Sequence, residues 1–333
     1  MAFIVAWIIF SALGYLSGFL LSVPIHECGH LLFGLVSGYR FVFLRLFRFL
    51  FYRDNKKLVV THSTPVQGIA GQCIMCPKSD ATGVFLYNAG GFLANLIVSL
   101  FCFWLCYVLL NTNTLALTFY FLGFGLVNLL TAAINLFPKT NPIPNDGRNL
   151  LELRNKEARK AFLIGLKVNA RLTEGNSYSV FSQTELLPAI SADKNNYMVA
   201  NQYILLALYY SEVNQLEKAE AVLKNLDISK LPVIYQGQVQ VHLLYLALLK
   251  NDLGLARSLY TEAVQLVLTS GEFDLLCIRA AFDILVQGHP ALEILKQLEE
   301  MANRFPTFQR ARAMADLAQL KRLIQKNSAW FQF

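Results

Sequence analysis

From Ala81 to Pro138 the chain runs for 58 consecutive residues without Asp, Glu, Lys, Arg or His. As one helix rising 1.5 Å per residue, that run would extend about 87 Å, whereas the hydrocarbon core of a bilayer is about 30 Å thick. Two spans joined by a turn fit the run, and Asn111-Thr112-Asn113-Thr114 supplies the turn. A further uncharged stretch runs from Met1 to Ile25 and continues past a short polar cluster to Tyr39. Spans are therefore expected at about 3–38, 82–110 and 115–137. The first has no basic n-region and no clear small-x-small cleavage site, so it reads as a retained span and not as a secretory signal. The composition is 55% hydrophobic and 15% charged, against about 45–50% and 25% in globular domains. That balance excludes a wholly soluble chain, a disordered one and a collagen-like one.

Charge divides the chain. Only four acidic residues, Glu27, Asp54, Asp80 and Asp146, precede residue 151. Between Tyr39 and Asp80 lie Arg40, Arg45, Arg48, Arg53, Lys56, Lys57 and Lys78, while the 111–114 turn is uncharged. The positive-inside rule then puts 39–80 and everything after Pro138 in the cytoplasm, with the N-terminus outside. The net charge of +7 is a juxtamembrane bias. No basic stripe with interleaved aromatics stands outside the membrane-proximal segment, so no nucleic-acid partner is expected. Cys73 and Cys76 form a lone CxxC without a second pair, and they read as ordinary small residues of a reduced cytoplasmic loop.

The chemistry concentrates in the first span, at His26-Glu27-Cys28-Gly29-His30. Residues i and i+4 lie one helical turn apart on one face, so His26 and His30 can direct two imidazoles at one ion. Glu27, about 100° round the helix, is free to take a proton from water at that ion. Burying three titratable side chains in a segment otherwise devoid of charge costs several kcal/mol without partners, which favours function over simple packing. Hydrolytic zinc sites usually take three protein ligands. Asp146, in Asn145-Asp146-Gly147 shortly after the third span, is the candidate third, and Asn141 and Asn145 are alternative amide donors nearby. The same tripeptide is also turn-forming.

These residues resemble the site-2 protease family of intramembrane zinc metalloproteases. His26-Glu27-Cys28-Gly29-His30 in the first span, Gly90-Gly91-Phe92-Leu93-Ala94-Asn95 in the second, and Asn135-Leu136-Phe137-Pro138 followed by Asp146-Gly147 fall in the family's order. The resemblance covers about residues 1–150. It implies His26, His30 and Asp146 as ligands of one Zn2+ per chain, Glu27 as general base, and Asn95 as a substrate-orienting side chain. Asn95 alone reads equally as a hydrogen-bonding residue at a helix–helix contact. Two departures stand out. Gly90-Gly91-Phe92 replaces the commoner Ala-Gly-Pro, and the interval from Asn135 to Asp146 is longer than usual, so the loop must bulge before presenting its carboxylate.

Between Arg40 and Cys76 the pattern is that of short strands, which in the resembling family form a membrane-associated β structure able to pair with an extended substrate. The aromatics there also read as an interfacial belt. From Asn149 to Leu172 an amphipathic basic helix is expected against anionic headgroups, and a linker follows near 173–190. Ala207-Leu208-Tyr209-Tyr210 with Leu216-Glu217-Lys218-Ala219 is echoed by Ala247-Leu248-Leu249-Lys250 with Leu253-Gly254-Leu255-Ala256, about 40 residues on with a shorter second turn, and a further helix pair is expected from Glu272 to Asn303. This resembles tetratricopeptide-type repeats, which offer a concave face to a peptide or protein partner. His242 and His289 read as ordinary polar residues of helix surfaces or ends.

The expected architecture is an all-α membrane protein: a three-helix transmembrane metalloprotease core with a short β region over 1–150, an amphipathic helix and linker over 151–189, and a cytoplasmic helical repeat domain over 190–333. The expected function is zinc endopeptidase cleavage of single-span or leader-peptide substrates in a bacterial plasma membrane, in regulated proteolysis or peptide-signal maturation. The alternative is a catalytically silent adaptor that recruits a partner through its repeats. A transporter fits less well, since the spans are few and show no inverted repeat.

Overall fold

The computed structural model describes residues 2–54, 57–62, 70–110, 112, 114–305 and 307–327. Met1, Lys56, residues 63–69 of the strand-patterned stretch, Asn111 and Asn113, which entered the sequence reading, lie outside the described residues. The chain is mostly helical, with one small antiparallel sheet, and divides into two compact units.

The first unit holds the described residues before Asn141 together with Pro144–Arg154. Three of its helices are long and apolar enough to cross a membrane: α1 (Ala2–Val36), α2 (Phe85–Leu110) and α3 (Leu115–Leu136). Each packs against the other two. Apolar burial drives little association between helices that sit in hydrocarbon, so close backbone approach at small residues matters more. Gly29 and Gly90 make that approach between α1 and α2. A Cβ on Gly29 would stand 2.2 Å from the Gly90 carbonyl oxygen, and one on Gly90 2.6 Å from the Gly29 oxygen.

Between α1 and α2 the chain forms β1 (Tyr39–Leu46), β2 (Phe49–Asp54), β3 (Lys57–His62) and β4 (Gly71–Pro77). The sheet is antiparallel in the order β3-β2-β1-β4. Alternating aromatic and β-branched residues fill it, and Tyr39, Leu44, Leu50 and Met75 are buried. Both β1 and β4 pack on α1, which sets β4 beside the histidine-bearing helix with its outer edge unpaired among the described residues. A short α4 (Asp146–Glu152) then packs against α2 and α3.

The basic segment from Asn149 to Leu172 is not one helix. It is α4 followed by α5 (Lys156–Thr173), because the Asn155 side chain accepts from the Glu157 and Ala158 N–H groups and starts a new helix. Ala161, Leu163, Leu166, Val168 and Ala170 of α5 are buried, and α5 packs on α7 (Tyr197–Glu212). The second unit thus takes up the chain from Asn155, well before residue 190. A turn at Tyr178–Val180 and α6 (Gln183–Leu186) lead into α7.

Pairs of packed helices follow. They are α7 with α8 (Leu216–Lys224), α9 (Val233–Leu249) with α10 (Leu253–Ser258) and α11 (Glu262–Leu268), and α12 (Phe273–Leu285) with α13 (Ala291–Arg304); α14 (Thr307–Asn327) packs against both α12 and α13. The first two pairs share one turn. Asn214 and Asn251 both take left-handed backbone, φ 59° in each, and the next N–H returns to a carbonyl five residues back: Gln215 to Tyr210 at 2.7 Å, Asp252 to Ala247 at 2.9 Å. Asn tolerates that conformation better than most residues and ends a helix there. The second turn is therefore no shorter than the first. The extra α11 has no counterpart after α8.

Leu244, wholly buried in the second unit's core, should cost about 2–5 kcal/mol when cut to Ala. Leu292→Ala, at an exposed position, should stay within about 0.5 kcal/mol. Thermal unfolding of the full chain, followed by circular dichroism, measures both.

Candidate metal centre

His26 and His30 lie one turn apart on α1, and α4 carries Asp146 to them. The His26 Nε2–His30 Nε2, His26 Nε2–Asp146 Oδ2 and His30 Nε2–Asp146 Oδ2 separations are 3.2, 3.2 and 3.4 Å. Among the described residues this is the one group of His, Cys, Asp or Glu side chains whose donor atoms converge as metal ligands would.

The far sides of the rings show what the near sides offer. The Nδ1 of His30 lies 2.7 Å from the Tyr87 carbonyl oxygen, which can only accept, so Nδ1 carries the proton. The Nδ1 of His26 lies 3.0 Å from Asn95 Oδ1, while the Asn95 Nδ2 donates to the Ser22 carbonyl at 3.0 Å and to Asn128 Oδ1 at 2.9 Å. Asn95 spends both N–H groups there, so its oxygen accepts from His26. Each Nε2 then presents a lone pair inward. Asp146 Oδ2 is buried and receives no hydrogen bond among the described residues. With both rings neutral, three lone pairs face one another, an arrangement that repels itself unless a cation sits at its centre.

The spacing fits such a cation. Bonds of about 2.0–2.1 Å at a tetrahedral angle hold two donors about 3.3 Å apart. Two imidazoles and one carboxylate leave the fourth position of a tetrahedral ion open, as catalytic zinc sites do. The two ring N–H groups are held by oxygens, the outer support that orients metal-binding histidines.

Glycine makes the space. A Cβ on Gly91 of α2 would stand 2.4 Å from His26 Nε2 and 2.6 Å from His30 Nε2. Where Gly91 stands, no larger residue leaves both rings in place. A Cβ on Gly147 would meet the Leu136 carbonyl oxygen at 2.0 Å, so the residue after Asp146 must be glycine for α4 to start this close to the end of α3. Asn145 caps α4: its Oδ1 accepts from the Arg148 N–H at 3.1 Å and the Lys139 N–H at 2.9 Å. Asn141 Oδ1 accepts from the Val233 N–H at 3.1 Å. Both alternative amide donors are thus engaged elsewhere.

Glu27 is buried, with its carboxyl within electrostatic reach of His30, His26 and Asp146. It lies against β4, where a Cβ on Gly71 would stand 2.5 Å from its Cγ. Asn95, wholly buried, acts on His26 through Oδ1 and joins α1 to α3 through Nδ2. Cys73 is buried and Cys76 half-buried on β4, and both are free thiols.

Sequence reasoning passed over Tyr87, Gly91 as a spacer, and Asn128. Asn128 carried a signal, a polar side chain in an uncharged span. Tyr87 acts through its backbone, which no side-chain pattern reveals.

The chain matches no family model, no curated protein and no solved structure. The case for a metal here is the donor geometry itself. Gly91→Ala should lower metal affinity by about tenfold or more, read as metal retained per chain after dialysis of the purified protein. Gly83→Ala, at a position with open space around it, should retain metal as the unaltered chain does.

Proposed function

We propose that this chain is an intramembrane zinc endopeptidase of the site-2 protease kind. The observation that carries the proposal is the convergence of His26, His30 and Asp146 at 3.2–3.4 Å beside a buried carboxylate on a helix apolar enough to span a membrane. His26, His30 and Asp146 would hold the ion. Zinc bound there supplies a Lewis acid that polarises a peptide carbonyl and makes water acidic enough to attack it.

The protein's own groups do the rest. Glu27 accepts the proton of the attacking water and delivers it to the departing amine, a role that suits a carboxylate next to the ligands but outside the ligand set. Asn95 and the Tyr87 carbonyl fix the tautomers and planes of the two rings, which makes both positioning residues. The outer edge of β4, unpaired among the described residues, offers main-chain hydrogen bonds to a substrate strand. A helical substrate must unwind before its carbonyl can be reached, and a strand edge replaces the hydrogen bonds lost. Substrates would be single-span proteins or leader-peptide remnants. The paired helices of the second unit would act as a tetratricopeptide-like module, and a bacterial plasma membrane is the setting that suits the whole.

The full chain is reconstituted in liposomes with a panel of single-span reporter peptides. Unaltered protein should cleave at least one, and Glu27→Gln should keep its zinc while losing about 10²–10⁴-fold in rate. Equal cleavage by Glu27→Gln would overturn the mechanism. A zinc-loaded protein that cleaves no reporter, and whose cellular output survives Glu27→Gln but not removal of 190–333, would favour the silent adaptor.

A further inference from the structure

The second unit has a half-open cavity of about 110 Å³ lined by α7, α9, α12 and α14, which are the opening helices of its successive pairs together with the last helix. That is smaller than the roughly 150 Å³ that admits benzene. The cavity suits the end of one side chain.

Its lining is unevenly charged. Three carboxylates, Glu212, Asp274 and Asp316, face one guanidinium, Arg312. Two of these four groups are committed to the wall. Glu212 accepts from the Tyr178 and Ser179 N–H groups at 2.8 and 3.2 Å. Arg312 donates to the Asn176 carbonyl at 3.0 Å and lies 5.2 Å from the Tyr178 ring centre. Asp274 and Asp316 remain, and among the described residues neither has a Lys or Arg nitrogen within ion-pair distance. The buried Nδ1 of His242 also lacks a hydrogen-bond partner. Burial holds that imidazole down to about 4, hence neutral, and burial with Asp274 nearby pushes the Asp316 carboxyl up to about 7. His242 is thus no ordinary helix-surface residue, whereas His289 is exposed in the turn before α13.

Such a cavity lacks a cation that brings several N–H donors. A metal ion does not suit it, because the donors here do not converge at ligating distance as His26, His30 and Asp146 do. An anion would meet the surplus carboxylates. A primary ammonium has one positive charge and three donors, and its methylene stem matches the apolar walls given by Leu208, Ile278 and Leu323. Tyr245 adds an aromatic ring to the lining, a kind of group that attracts cations. We propose that this cavity binds the primary ammonium of a peptide partner, carried by a lysine side chain or by a chain amino terminus. The proposal is independent of the protease reading.

The test is fluorescence anisotropy with the full chain in detergent and a dye-labelled, doubly capped model peptide with one central lysine between leucines. Saturable binding is expected, weakened about tenfold or more when the lysine is acetylated. A third peptide with acetylated lysine and a free amino terminus separates the sources: binding there assigns the amino terminus, and binding only with free lysine assigns the side chain. Asp316→Asn and Asp274→Asn should each weaken the best peptide about tenfold, with the helical circular dichroism unchanged. Saturable binding of the doubly capped, acetylated peptide, which carries no ammonium, as tight as that of the best ammonium-bearing peptide would overturn the proposal, as would no binding of any ammonium-bearing peptide up to about 1 mM. The acetylation comparison needs no variant, so it decides the matter even if an Asn variant misfolds.

Discussion

Three lone pairs held within 3.4 Å of one another organise the first unit. Nothing in an apolar bundle gains by bringing two imidazole nitrogens and a carboxylate oxygen together, since each loses solvation and repels the others. The arrangement persists because the surroundings over-determine it. The Tyr87 carbonyl and Asn95 fix the rings from behind, and the absence of side chains at Gly91 and Gly147 lets α2 and α4 close in. A cation bound there would turn that repulsion into attraction.

Asn95 sits at the centre of this support. It is wholly buried and links α1, α2 and α3 through His26, the Ser22 carbonyl and Asn128. In hydrocarbon an unpaired amide costs several kcal/mol, so all three hydrogen bonds must form together. The ring plane of His26 is thereby coupled to the packing of the whole three-helix core. The sheet extends this coupling outward, since Gly71 on β4 gives Glu27 its room and Tyr87 donates its hydroxyl to the Cys73 carbonyl at 2.8 Å. The elements that would hold a substrate strand and those that orient the ligands therefore share residues.

The second unit follows other rules. Its core is conventional, built chiefly of Leu, Ile, Val and Ala in paired helices, and several of its charged groups line one cavity. Glu212 and Arg312 show how such a cavity is framed: each charged group is tied to backbone, and among the described residues its neighbours Asp274 and Asp316 have no directly paired Lys or Arg. Charges left so are unfavourable for stability alone, which is why a ligand is the simplest account of them.

The amino-acid sequence by itself determined what is local. Hydropathy alone marked three helices long and apolar enough to span a membrane, because a bilayer imposes a length on any uncharged helix. The i, i+4 spacing alone put His26 and His30 on one face, because helix geometry is the same everywhere. Alternation marked the strands, and the repeated Ala and Leu pattern marked the α7–α8 and α9–α10 pairs. Only the tertiary structure decided the rest. Whether Asp146, Asn141 or Asn145 faces the histidines depends on how a nine-residue segment returns from α3 to α4, and no periodicity encodes that return. The break at Asn155 and the packing of α5 on α7 likewise depend on contacts distant in sequence. So do the role of Gly91, the partners of Asn95, and the meeting of His242, Asp274 and Asp316 from three separate helices. Each is a close approach between segments far apart in the chain, and a sequence records the residues that permit such an approach without recording which segments make it.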